Sequence, residues 1–238
     1  MTAPTCSDKV FNSKKVSVII LLLVTATVSY GQDKQLRVDV NADLVSSYVW
    51  RGLYQAGASI QPSLSLSAYG LTIGSWGSTD FSSSFKEIDF FISYELQKVA
   101  VSLSDYWWSG EGESFFKERA SHHFEAGLNY TFSDNFPLSL GVNTIFYGRE
   151  DRSDEDKQLY STYIEASYPF SMKNVDCELS IGISPWRGMY SADFNVASIT
   201  ARASKELQVS EKFALPVFIE LILSPSNDNT FIIFGLKF

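Results

Sequence analysis

Cysteine is almost missing from this sequence, with only Cys6 and Cys177 among its 238 residues. Cys6 lies in a leader expected to be removed, so no intrachain disulfide and no cysteine-based metal cluster is expected. Surplus basic charge is missing too: 19 Lys and Arg stand against 27 Asp and Glu. An acidic chain lacks the basic face that nucleic-acid binding requires. Beyond residue 28 no apolar run is long enough for a membrane-spanning helix, which needs ~20 residues. No segment has helical periodicity. Histidine is confined to the pair His122–His123.

The leader has a recognisable form. Lys14 and Lys15 precede the apolar run "VSVIILLLVTATV" at 16–28, and "SYG" at 29–31 follows. A basic start, a short apolar core and a small-x-small exit describe a secretory signal peptide, with cleavage expected after Gly31. Residues 32–238 are then one exported domain. The leader holds three lysines and one aspartate, so the remainder is more acidic than the whole chain's net charge of −8.

Period-two alternation fills that remainder. Val38, Val40, Ala42, Leu44, Tyr48 and Trp50 share one parity; Asp39, Asn41, Asp43, Ser47 and Arg51 share the other. Side chains alternate across a strand, so each such segment has an apolar and a polar face. Twelve strands are predicted, at 37–50, 59–69, 71–79, 86–96, 98–108, 120–132, 137–148, 158–168, 175–184, 194–207, 213–224 and 229–238. The connectors alternate between long ("RGLYQAGAS", "SGEGESFFKER", "GREDRSDEDK", "PWRGMYSAD") and short ("SDNF", "VSEK"). Long loops at one end and tight turns at the other predict a transmembrane antiparallel up-and-down β-barrel of about 12 strands. A secreted sandwich would also alternate, but it needs neither alternating connectors nor aromatic bands.

Aromatic residues gather near the predicted strand ends. Tyr48, Trp50, Trp76, Trp107, Tyr130 and Tyr168 are expected in interfacial girdles, with apolar rings in lipid and polar tips in water. The last strand, "NTFIIFGLKF", closes on Phe238. A terminal Phe on an alternating strand resembles the signal read by the outer-membrane assembly machinery, which makes that machinery and the outer-membrane lipid the expected partners.

Polar parity predicts the pore lining: Asp39, Asp43, Arg51, Glu87, Asp89, Glu95, Glu125, Glu165, Asp176, Glu178, Arg202, Glu206 and Glu220. Carboxylate rings in a narrow bore favour cations. Arg51 is read as a lone cation at the entrance. The motif "YVWRGLY" at 48–54 has a near-copy, "PWRGMY", at 185–190. Both copies end outward-running strands, so the motif reads as a membrane boundary marker used twice.

Three stretches carry a family resemblance: "SSYVWRGLYQ" at 46–55, "YGLTIGSWGSTDF" at 69–81 and "KEIDFFISYEL" at 86–96. They resemble the TorF family of porin-type outer-membrane proteins, with a Bacteroidetes flavour in the second half. The resemblance implies a small barrel and a pore; it brings no substrate, cofactor or catalytic residue.

Catalysis has little to rest on. Ser121 and His123 share the lumen parity, where a lipid substrate would not reach, and a nucleophile and its base must face the substrate. No spacing points to a metal. The run "REDRSDEDK" at 149–157 lacks the central Gly and terminal Glu of a calcium loop and reads as a solvated, mobile outer loop. The expected function is passive diffusion of small polar or cationic solutes across a Gram-negative outer membrane, without cofactor. A non-conducting barrel whose loops bind a partner, as an adhesin or assembly subunit, is the alternative. An outer-membrane lipid hydrolase is the weakest.

Overall fold

The computed structural model describes residues 35–82, 85–109, 115 and 122–238. The expected signal peptide and Ser121 lie outside the described residues. The chain forms a closed antiparallel barrel. Its twelve wall strands are β1 (Arg37–Val45), β4 (Ser59–Ala68), β5 (Leu71–Asp80), β6 (Lys86–Leu96), β7 (Val99–Ser109), β8 (His122–Ser133), β9 (Phe136–Tyr147), β10 (Thr162–Met172), β11 (Val175–Ser184), β12 (Asn195–Ser210), β13 (Phe213–Ser224) and β14 (Asn229–Lys237). Two further strands, β2 (Tyr48–Trp50) and β3 (Leu53–Ala56), form a separate hairpin. Each wall strand pairs with its neighbours in sequence. The ring closes where β14 meets β1, with Asp43 opposite Lys237, and Ala42 and Phe238 exchanging backbone hydrogen bonds of 3.0 and 2.9 Å.

The wall follows the residue pattern. Aliphatic residues point outward and stay exposed, among them Val40, Leu64, Ile73, Ile92, Leu103, Leu128, Val142, Leu179, Leu221 and Ile232. Most of their neighbours on each strand are serine, threonine, asparagine, glycine and acids, which face inward; Ile222, Phe231 and Ile233 form an inward apolar patch instead. A globular protein does not leave an apolar belt of this extent in water, whereas a transmembrane barrel requires one. Among the described residues no helix is long and apolar enough to cross a membrane.

Turn chemistry sets the two ends. Tyr69-Gly70 joins β4 to β5 with φ of 54° and 77°. Two consecutive positive φ values are those of the two-residue turn whose twist matches that of the flanking strands. Lys173, at φ 57°, starts an equally tight link between β10 and β11.

Two boundaries differ from expectation. The first wall strand ends at Val45, not at 50, because the next residues leave the wall and pair with each other. The eighth wall strand in sequence was expected at 158–168 but runs Thr162–Met172. A knot around Asp151 holds the chain out of the sheet up to Ser161. The fully buried Asp151 carboxylate accepts from the Ser161 amide at 3.2 Å, and also from the Ser161 hydroxyl and the Gln158 amide. This corrects the reading of 149–157 as merely solvated and mobile: its centre is a buried, satisfied carboxylate.

Candidate functional site: a hairpin docked inside the barrel

Residues 46–58 turn back into the lumen. Trp50 pairs with Leu53 across the two-residue turn Arg51-Gly52, whose φ values are 52° and 82°. A bulky residue with positive φ is uncommon, so the Arg51 backbone is held by its surroundings. Gly52 is required twice: its φ suits glycine, and a Cβ there would lie 2.3 Å from the Ala197 carbonyl oxygen of β12.

The hairpin alternates like a strand, and its two faces pack against opposite walls, although Tyr54 stays exposed. Val49 packs against an apolar patch of Val45, Phe218, Ile222 and Ile233, with Phe231 at its edge. Tyr48 turns the other way onto Trp76 and Phe85, with ring centroids 5.4 and 6.0 Å apart. Trp50 lies between Tyr106, Trp108 and Tyr190 at 5.5, 5.7 and 5.6 Å. Tyr54 stacks on Phe231.

Arg51 sits at the tip. It bonds to both carboxylate oxygens of Glu125 on β8, at 2.5 and 3.0 Å. It also donates to the Tyr190 hydroxyl at 2.5 Å. The guanidinium carbon lies 4.5 Å from the Trp50 ring centroid, 4.8 Å from that of Tyr163 and 5.5 Å from that of Tyr190. Tyr106 donates to Glu125 at 2.7 Å, and Tyr163 donates to Glu165 at 2.9 Å and contacts the Ser198 hydroxyl at 2.7 Å. Burial pushes the Tyr190 phenol well above its ordinary value, so it stays neutral and accepts from the guanidinium. A forked guanidinium on a carboxylate, with aromatic faces around it, is among the stronger polar arrangements in a protein interior.

These contacts correct several expectations. Tyr48, Trp50 and Trp76 face the lumen rather than a lipid girdle. Trp76 is opposite Ser63 and Asp89 on the inward face, and the two hairpin aromatics pack on the inner wall. Trp107 does point outward, but it is buried beside Phe115 rather than lipid-exposed. On the same outer face His122 contacts Asp105 at 2.9 Å and the Phe115 carbonyl oxygen at 3.2 Å. Tyr130 and Tyr168 face outward near the short-turn end, bridged by Phe132 and Phe136 into one aromatic row. Phe238 is exposed. Arg51 has the inward direction expected of it, but it is a paired ion on a hairpin, not a lone cation on a strand.

The predicted lining residues face inward in two groups. Glu87, Asp89 and Glu125 are buried at the hairpin level, where Trp108 donates to Glu87 at 2.6 Å. Glu95, Asp176, Glu178 and Glu206 are exposed towards the short-turn end, with Asp39, Asp43 and Glu165 half-buried. Arg202 pairs with Glu220 at 2.5 Å and lies 3.9 Å from the Phe218 ring centroid. A cleft of about 410 Å³ at that end is lined by Arg37, Asp39, Ser67, Thr72 and Glu95. The outer half of the bore is therefore filled by the hairpin, and the inner half is a polar vestibule whose Glu95, Asp176, Glu178 and Glu206 are exposed.

His123 has no exposed surface. It lies against Trp108, its centroid 4.2 Å away, and its Nε2 approaches Glu150 Oε2 to 2.6 Å, off the hydrogen-bond line. Among the described residues no cluster of His, Cys, Asp or Glu could hold a metal ion.

Sequence reasoning missed Tyr190. Pro185 breaks the alternation ahead of it, so parity could not aim it. Its signal was the repeat itself.

No family model and no curated protein matches the chain. Among solved structures it is similar to KdgM porin, at 8% identity over 84% of this chain and 95% of that one, with a TM-score of 0.46. A second KdgM porin structure, in complex with disordered oligogalacturonate, has 9% identity with the same coverage and TM-score. A mutant Rh. blastica porin matches at 11% identity over 84% and 73% of the two chains, with a TM-score of 0.40.

Proposed function

We propose that the chain is a porin-like barrel of a Gram-negative outer membrane that passes small polar or cationic solutes, with the 46–58 hairpin as its internal stopper. The observation that carries this reading is the inner vestibule: a polar bore with more acids than bases inside an aliphatic belt. Low-dielectric walls focus the field of such carboxylates and concentrate cations. Selectivity would come from bore width and charge, not from chemistry. The resemblance to the TorF family also implies a small barrel with a pore.

A second reading has its own support. A hairpin packed against nearly every wall suits a non-conducting barrel whose outer loops bind a partner. Planar-bilayer recording decides between them. Cation-selective steps, raised when Gly52→Ala loosens the hairpin, support the porin reading. A well-folded barrel that stays silent with and without that substitution overturns it.

A further inference from the structure

The surroundings of Arg51 make a complete binding site for a planar cation. One carboxylate, Glu125, offers both oxygens in a fork. Three rings, Trp50, Tyr163 and Tyr190, lie within cation–π distance. Tyr163, Tyr190 and Glu125 are all more than nine-tenths buried. Only Trp50 belongs to the hairpin; the rest of the cage is built by β8, β10 and the loop before β12. The cage is thus largely a property of the wall, and Arg51 enters it from a tether.

We propose that Arg51 is a tethered occupant of a guanidinium-binding site, and that a free guanidinium-bearing solute competes for the same cage and releases the hairpin. The gating half rests on the porin reading; the binding half does not.

The exchange is physically favourable for a simple reason. Removing the cation alone would leave Glu125 buried and unpaired, which is costly. Replacing one guanidinium by another keeps the fork, the Tyr190 contact and the Tyr163 face, and gives up the Trp50 ring that leaves with the hairpin. The competitor must overcome the effective concentration of the tethered residue, ~mM for a short flexible link and higher for one held at both ends and packed through Tyr48 and Val49. Half-displacement in wild-type protein is therefore expected at millimolar solute or above. An ammonium group could take the charge but not the fork, because it lacks the planar pair of N–H donors. That difference makes the site selective for guanidinium over ammonium and sodium.

The test uses the refolded full chain and methylguanidinium as the probe. In Arg51→Ala the cage is vacated, and methylguanidinium should bind with at least tenfold higher affinity than to wild type, read by calorimetry and by the fluorescence of Trp50 and Trp108. Methylammonium and urea, the neutral isostere, should bind at least tenfold more weakly. Adding Glu125→Gln to that variant should remove the binding. Equal response to methylguanidinium, methylammonium and urea overturns the proposal. Should Arg51→Ala fail to fold, Arg51→Lys keeps the charge while losing the fork, and it should release the hairpin to methylguanidinium at lower concentration than wild type. No such shift overturns the proposal equally. Bilayer recording separates the two readings: binding without any conductance leaves the site standing and sinks the channel, whereas conductance without binding does the reverse.

Discussion

Arg51 Nη1 and Tyr190 Oη lie 2.5 Å apart inside the barrel, and that bond joins the two near-copies of one motif. The Trp-Arg-Gly of the first copy supplies the turn, the cation and a ring; the second supplies the tyrosine that receives the cation. In the second copy Trp186 and Arg187 stay at the surface, where Trp186 donates to the Tyr160 carbonyl at 3.1 Å. Gly188 packs against Ser161, whose hydroxyl accepts from the Met189 amide at 2.7 Å. The glycine of each copy thus sits where a Cβ would collide: with Ala197 in one case, with Ser161 in the other.

That geometry makes Gly52 the most sensitive backbone position in the hairpin. Gly52→Ala adds a Cβ 2.3 Å from a β12 carbonyl and places alanine at φ 82°. The positive φ alone costs about 1 kcal/mol, and the collision adds to it. The hairpin should undock while the barrel stays closed. Limited proteolysis should then cut within 46–58, and heat-modifiability on gels should still report a folded barrel.

Removing one partner of the Arg51–Glu125 pair should cost about 3–5 kcal/mol of hairpin docking, because the other charge stays buried. Arg51→Met with Glu125→Leu should cost less than the sum of its parts, since no charge is left unpaired. A double-mutant cycle on thermal melting, with Trp fluorescence as the probe, measures the coupling. A coupling energy near zero would show that the pair does not hold the hairpin.

The wall was legible because lipid outside and water inside impose opposite demands on alternate residues, and the sequence carries that alternation through Leu64, Leu128 and Leu221. The hairpin was not. Tyr48 and Trp50 continue the apolar parity of Val40, so they read as an outer face. What decides their place is the aromatic inner wall of Trp76, Tyr106 and Trp108, and parity on one strand says nothing about who waits across a lumen. The Arg51-Gly52 turn was visible as an exit from the sheet, but its direction was not. Asp151 was hidden for a related cause: a charge run gives no sign that one of its members will be buried.

Charge selectivity should follow the vestibule rather than the hairpin level. Glu178 and Glu206 are exposed towards the inner end, whereas Glu87 and Asp89 are buried behind the docked hairpin. Glu178→Gln with Glu206→Gln should shift the reversal potential towards zero under a salt gradient. Glu87→Gln with Asp89→Asn should shift it less while the hairpin is docked, and comparably once Gly52→Ala has released it. An equal shift from both pairs in the wild-type background would place the selective zone at the hairpin.

Acid should loosen the loop that follows β9. Burial works to raise the Glu150 carboxyl, but the contact with His123 and the nearby Arg149 outweigh it and hold its pKa below the ordinary value of about 4.3. A carboxylate with a lowered folded-state pKa stabilises the fold fully above its unfolded value, and that stabilisation is lost as pH falls through the folded one. At neutral pH the contact should therefore be intact, and it should fail only as pH falls below the ordinary carboxylate value. Glu150 is partly exposed, so the effect is a fraction of a kcal/mol. His123 lies tilted against Trp108, so Trp fluorescence reports the change. Titrating from pH 7 to pH 3 should give a transition below pH 4.3 that Glu150→Gln abolishes. A transition that survives that substitution would assign the loosening to another carboxylate of the same loop.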